Sequence, residues 1–202
     1  MIVGTQPRGR REVDRLIDET RAGAILCLQE DRDAEHWGVD LERVKLHAEQ
    51  RLGQGRHLRA PARDFDGDSL RLVLPRAAAM LEREIQAGRR VYVHCTAGLG
   101  RAPAVAIAWR YWFYDGDEAE EEGATTTTLD ACYDSVTSVR PCGPRRGSIR
   151  GATVDLLTGA PRGVAVDLAT LPPDAGAALT RSERAVVRRA AMAALLREEG
   201  GV

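Results

Sequence analysis

Val91-Tyr-Val-His-Cys-Thr-Ala-Gly-Leu-Gly-Arg-Ala-Pro103 is the stretch on which the reading of this chain turns. Arg90 to His94 is short, apolar and β-prone, the pattern of a buried strand. A glycine-containing loop follows, and a helix is expected from Arg101, with Pro103 in its first turn where a missing N–H is harmless. Loop amides from Thr96 to Arg101 would then face a concavity backed by a helix N-terminus, a geometry suited to a tetrahedral dianion. Gly98 and Gly100 permit the backbone angles such a cradle needs. Cys95 sits at its electropositive mouth, which favours the thiolate. Arg101 can hold two phosphoryl oxygens at once, which lysine cannot. Cys-x5-Arg after an apolar strand therefore reads as a phosphate trap with a nucleophile at its base. The alternative is a buried structural cysteine beside a surface arginine. His94 reads as a residue that orients its neighbours, since a thiolate needs no base.

The same alternation of patterns runs through the first half of the chain. Arg11–Ala22, Leu41–Leu52 and Ser69–Gln86 have helical periodicity, the last with Asp68 or Ser69 as its cap, and Ala24–Leu28 (AILCL) is a second continuous apolar run. Arg56–Ala62 is a weaker, proline-interrupted strand candidate. The expected fold is α/β, a mostly parallel twisted sheet flanked by helices, with a C-terminal helical extension. Asp115–Thr128 (DGDEAEEEGATTTT) is acidic and then threonine-rich, and is expected to be a disordered insertion. Helical patterning resumes at Leu129–Ser138, Gly147–Leu157 and Thr180–Glu199, the last opening on a Thr180/Glu183 capping box. The expected division is a catalytic domain over 1–146 and a C-terminal segment over 147–202 that packs onto it.

Composition limits the partners. The 202 residues carry Lys+Arg 29 against Asp+Glu 30, a net charge of −1, with 44% hydrophobic residues. A chain so nearly neutral offers no broad cationic face for nucleic acid or anionic lipid. No run approaches the roughly 20 apolar residues of a membrane span. Cys27, Cys95, Cys132 and Cys142 form no CxxC and no Cys/His cluster with zinc-ligand spacing, so neither a metal nor a disulfide scaffold is expected, and a reducing compartment is the default. The opening MIVGTQPRGRR does not read as a signal or transit peptide, and starting on strand-like residues leaves room for a longer precursor.

The motif resembles the signature of the cysteine-dependent phosphatases, in their dual-specificity branch. In that family the thiolate attacks phosphorus, a phosphocysteine forms, and an aspartic acid about thirty residues upstream first protonates the leaving oxygen and then activates water. The matching stretch is Arg63-Asp-Phe-Asp-Gly-Asp68, where Asp64 lies 31 positions before Cys95. Asp66 and Asp68 compete for the role, though Asp68 more simply caps the following helix. Ala102 stands where most of the superfamily has a serine or threonine.

Cys-Thr-Ala-Gly-Leu-Gly-Arg-Ala-Pro is similar to the plant starch-excess and like-starch-excess phosphoglucan phosphatases, relatives of laforin. Ile2-Val-Gly-Thr5, Cys27-Leu-Gln29, Gly38-Val-Asp40, Arg63-Asp-Phe-Asp66 and Ala152-Thr-Val-Asp-Leu-Leu-Thr-Gly159 extend the likeness from about Ile2 to about Leu168. It implies hydrolysis of phosphate monoesters on starch or amylopectin without a cofactor, in a plastid. It also implies Cys95, Arg101 and Asp64 as catalytic residues, Thr96, Ala97, Gly98, Leu99, Gly100 and Arg101 as the phosphate loop, and Trp37 and Phe65 as glucan-stacking aromatics, for which ordinary core packing is the alternative. Gly143 departs from the aromatic usual after the cysteine near Cys142. By the same resemblance Cys27 forms a reversible disulfide with Cys95; the alternative is that it is a small buried hydrophobe in the sheet. Two alternatives remain: a phosphoprotein phosphatase, or a catalytically weak glucan-binding scaffold, to which the departures at Ala102 and Gly143 lend themselves.

Overall fold

The apolar runs and amphipathic stretches become alternating strands and helices in the computed structural model, which describes residues 1–114, 126–160 and 164–199. In chain order they are β1 (Ile2–Gly4), α1 (Arg10–Thr20), β2 (Ala24–Cys27), α2 (Asp31–His36), α3 (Leu41–Leu52), β3 (His57–Arg59), α4 (Gly67–Gln86), β4 (Val91–His94) and α5 (Arg101–Trp112). There follow β5 (Thr126–Thr128), α6 (Leu129–Thr137), α7 (Arg146–Thr158), a 3-10 turn (Leu168–Thr170), β6 (Ala178–Thr180) and α8 (Arg181–Glu199). Strands β1 to β4 make one parallel sheet in the order β1-β4-β2-β3. All four residues of β2 are buried, as a central strand covered on both faces requires.

Side chains alternate between two apolar layers. Ala24 and Leu26 pack with α4, α5, α7 and α8 on one face, whereas Ile25 joins Val13, Val44 and Ala48 of α1 and α3 on the other. In the register of the central pair Cys27 lies beside His94. Both strands therefore deliver their loops to one rim, the carboxyl edge where open α/β sheets place their ligands.

Three expectations need correction. The cap of α4 is Asp66, not Asp68 or Ser69: its carboxylate accepts from the amides of Ser69 at 2.9 Å and Asp68 at 3.0 Å, which hold it below the usual carboxylate range. The helix thus begins two residues earlier than its apolar stripe announces. The expected disordered stretch 115–128 does not extend to its end. Residues 115–125 lie outside the described residues, but Thr126–Thr128 pair antiparallel with Ala178–Thr180. A run of β-branched threonines suits a strand once a distant partner supplies its hydrogen bonds. Helix α2 was not expected at all. Its residues, DRDAEH, carry no apolar period, and it is fastened by a reciprocal capping box between Glu30 and Asp33.

The C-terminal segment shares the main core. Leu179, Val187, Ala191 and Leu195 pack with Leu70, Leu74 and Leu81 of α4, and the Thr180/Glu183 box is present, with Thr180 N–H donating to Glu183 at 2.9 Å. Arg71 of α4 grips Asp155 of α7 through two bonds of 2.6 and 2.7 Å and also donates to the Val166 carbonyl. Gly151 makes room for that guanidinium: a Cβ there would lie 2.6 Å from Arg71 Nε. No described helix is long and apolar enough to cross a membrane.

Candidate active site

Strand β4 ends at His94, and Cys95 follows at the floor of the rim, 3% exposed. The next four carbonyls are all engaged away from it. Thr96 O accepts from the Gln6 amide at 3.1 Å, Ala97 O and Gly98 O from Arg140, and Leu99 O from the Gly143 amide at 3.0 Å. The amides of Thr96 to Arg101 donate to no acceptor among the described residues, and Gly100 caps α5 without a side-chain bond. That is a ring of unspent donors at a helix N-terminus, where negative charge is stabilised. Gly98 is obligatory here: its φ is +70°, and a Cβ would sit 2.5 Å from the Gly4 carbonyl oxygen.

Arg101 is buried and anchored by one edge. Nη1 donates to Ala62 O at 2.8 Å and Leu28 O at 3.4 Å and pairs with Asp33 of α2. Nη2 donates to Thr96 Oγ1 at 3.1 Å and meets Asp64 Oδ2 at 3.1 Å, while Nε has no protein partner. Nε is thus the guanidinium nitrogen left to a ligand, and with Nη2 it has the fork geometry that takes two phosphoryl oxygens. A buried amide network braces the loop from behind. Gln29 Nε2 donates to Gln6 Oε1 at 2.6 Å and to Thr96 Oγ1 at 3.2 Å.

Asp64 reaches this centre; Asp66 is committed to its helix cap, and Asp68 lies in the first turn of α4. Residues 63–66 wall a cavity of about 320 Å³ together with Cys95, Leu99, Gly143 and Arg145. Phe65 lines it too, 85% exposed and with a left-handed φ of +58°. Trp37 does not line this cavity. It is exposed, packs edge-on against His36 at 5.3 Å, and ends α2 one turn beyond Asp33. Asp33, Gln6, Gln29, Arg140 and Arg145 were not anticipated. Each acts on a loop far away in sequence, and no local spacing marks them.

Burial decides the state of the neighbouring groups. Cys27 is a free, fully buried thiol pushed up to about 11 by its burial. Cys95 is also free. Burial likewise pushes His57 down to about 4 and His94 to about 3, and the two rings lie 6.5 Å apart. Both are neutral at pH 7, which leaves His94 as an orienting group bonded through Nδ1 to the Cys95 carbonyl at 3.3 Å. Below about pH 6.5 unfolded histidine takes up a proton that these two refuse. Folding stability is therefore full above that pH and falls by roughly 1.4 kcal/mol per pH unit for each histidine as the pH drops toward about 4. Urea midpoints compared at pH 7 and 5 should show the loss, and His57→Leu should about halve it. Equal midpoints at the two pH values would contradict the assignment.

A buried cysteine beneath unpartnered amides, an arginine whose Nε lacks a protein partner and an aspartate paired with that arginine, all on a parallel sheet, make a site suited to cysteine-phosphatase chemistry. Solved structures share the fold. A PTP-2 phosphatase of Cydia pomonella superposes with a TM-score of 0.56 at 18% identity, over 73% of this chain and 80% of its own. The Yvh1 phosphatase domain of Chaetomium thermophilum gives 0.52 at 21%, over 80% and 93%.

Residues 36–111 match the family "Dual specificity phosphatase, catalytic domain". Over those residues the chain is similar to the dual-specificity phosphatases, a family of cysteine-dependent enzymes. It is 36% identical over 160 residues, 79% of its length, to the amyloplastic phosphoglucan phosphatase DSP4 of Castanea sativa. It is 31% identical over 155 residues, 77% of its length, to the chloroplastic phosphoglucan phosphatase LSF1 of Arabidopsis thaliana. A shorter match, 32% over 69 residues, links 34% of the chain to 20% of mouse laforin. The chain spans 39% and 24% of the length of the two plant relatives.

Proposed function

We propose that this chain hydrolyses phosphate monoesters on glucosyl units of starch or amylopectin. The observation that carries the reading is Phe65, held outward at 85% exposure on the wall of the cavity that contains Cys95, Asp64 and Arg101. An aromatic kept in water at the lip of a phosphate site is a flat surface on which a sugar ring can stack, and the two plant relatives named above are phosphoglucan phosphatases. Trp37 extends the same role along the rim from the end of α2.

The phosphoryl group docks on the amides of 96–101 and the Nε–Nη2 edge of Arg101, with two of its oxygens on the guanidinium. Cys95 Sγ attacks phosphorus as the bond to the glucosyl oxygen breaks, and Asp64 gives that oxygen its proton. The products are a free glucosyl hydroxyl, a phosphocysteine and an Asp64 carboxylate. Water then attacks the phosphocysteine, Asp64 takes a proton from it, and Cys95 leaves as thiolate. Ala102 offers no hydroxyl to that departing sulfur, so the loop amides stabilise it. The described residues of the C-terminal segment, which share the core of α4, belong to the same catalytic unit in this reading. The amyloplastic and chloroplastic names of the two relatives support a plastid as the site of action.

Phosphate release from solubilised phosphorylated amylopectin, set against a phosphotyrosine peptide, tests the substrate class. Amylopectin should be preferred, and Phe65→Ala should slow it about tenfold or more while leaving p-nitrophenyl phosphate within about threefold. A strong peptide preference, insensitive to Phe65, would make the chain a phosphoprotein phosphatase; no turnover of either would favour a glucan-binding scaffold. In the same proposal Cys27 protects the nucleophile: a Cys95 sulfenic acid condenses with the Cys27 thiol, giving a disulfide and water. Peroxide-treated wild type should regain activity with dithiothreitol and Cys27→Ser should not. Equal irreversible loss in both would remove the disulfide.

A further inference from the structure

The acid loop and the phosphate loop are 30 residues apart in sequence, yet one later segment holds both. Arg140 donates through Nε to Gly98 O at 3.1 Å, and the Gly143 amide donates to Leu99 O at 3.0 Å, fastening the phosphate loop. Five residues beyond Arg140, Arg145 donates through Nη2 to Phe65 O at 2.7 Å, and Ser148 Oγ donates to Gly67 O at 2.8 Å. The Arg145 stem runs past Gly67, where a Cβ would lie 3.4 Å from Arg145 Cδ.

The bond to Phe65 matters because of what the other side of that residue does. Phe65 N–H donates to Asp64 Oδ1 at 3.1 Å, and Asp64 Oδ2 is the oxygen that meets Arg101. Phe65 itself has a φ of +58°, one of only two described non-glycine residues in the left-handed region. A phenylalanine relaxes from that region unless its peptide is held. Arg145 holds the carbonyl, the Phe65 amide holds one carboxylate oxygen, and the other oxygen is thereby aimed at the reacting centre.

We propose that Arg145 is a positioning residue for proton transfer: through the Phe65 peptide it sets the direction of the Asp64 carboxyl, and with Arg140 and Gly143 it fixes the spacing between that acid and the Cys95 loop. This rests on Asp64 being the acid. Arg145 touches neither phosphorus nor the leaving oxygen in this role, so its loss should matter in proportion to how much the leaving group needs a proton.

The test compares kcat/KM for p-nitrophenyl phosphate, whose phenolate departs readily unprotonated, with phenyl phosphate, whose more basic phenolate needs the acid. Arg145→Ala should lower kcat/KM for phenyl phosphate by about tenfold or more and for p-nitrophenyl phosphate by less than about threefold, with an unchanged Tm. Arg145→Lys, which keeps one donor within reach of Phe65 O, should recover part of the loss. Asp64→Asn is the control and should show the same selectivity more steeply. If Asp64→Asn is steep but Arg145→Ala is flat, or slows both esters equally, or only raises KM for both, the positioning role is wrong and the acid assignment stands. If Asp64→Asn slows both esters equally, the acid assignment fails and the positioning role falls with it.

Discussion

Cys95→Ser is expected to abolish turnover of p-nitrophenyl phosphate, by roughly 10⁴-fold or more in kcat, without unfolding the protein. The serine hydroxyl has nearly the shape of the thiol but stays protonated at neutral pH, and so is a poor nucleophile for phosphorus and a poor leaving group from it. The loop does not depend on the sulfur for its shape. Its carbonyls are held by Gln6, Arg140 and Gly143, and its turn by the left-handed Gly98. The variant should thus still bind inorganic phosphate or vanadate, with a Tm within a few degrees of wild type. Activity within about tenfold of wild type would mean that water attacks phosphorus directly and that no phosphocysteine forms.

Arg101→Lys should be nearly as damaging, and for two separable reasons. Catalytically it removes the planar fork, whose Nε has no protein partner, and a loss of about 10³-fold in kcat/KM is expected from steady-state kinetics. Structurally it removes the donors to Ala62 O and Leu28 O and weakens the pairing of Asp33, whose side chain is only 12% exposed beside an Arg101 that is 3% exposed. Urea unfolding should register a loss of roughly 2–4 kcal/mol, because a largely buried carboxylate is left poorly matched. A Lys variant as stable as wild type would mean that Asp33 finds water on losing the guanidinium. One with activity within tenfold of wild type would mean that the amides of 96–101 alone bind the phosphoryl group.

These two residues were legible in the sequence because their relation is local. Strand, loop, glycine pair and helix start occupy thirteen consecutive residues, and each imposes its own backbone conformation before anything distant is in place. Asp64 was singled out by the family's spacing, and the structure sets its carboxylate beside Arg101 while Asp66 holds the first amides of α4. Trp37 shows the other side. Its exposure fits a sugar surface, but its sequence position could not say whether it faces the cavity, because the short helix that carries it is fixed by a capping box between charged residues.

The chemistry of the site, a thiol, an arginine and a helix N-terminus, is determined by adjacent residues, since dihedral preference and hydrogen-bond capacity act over a few peptide units. What only the tertiary structure decided is where the supporting groups come from: Asp33 after β2, Gln6 after β1, and Arg140 and Arg145 from a segment beyond α6. The pairing of Thr126–Thr128 with Ala178–Thr180 belongs with them. Such contacts close long loops, and they form because burying Leu179, Val187 and Leu195 against α4 repays the entropy of closure, a balance that no local pattern of residues records.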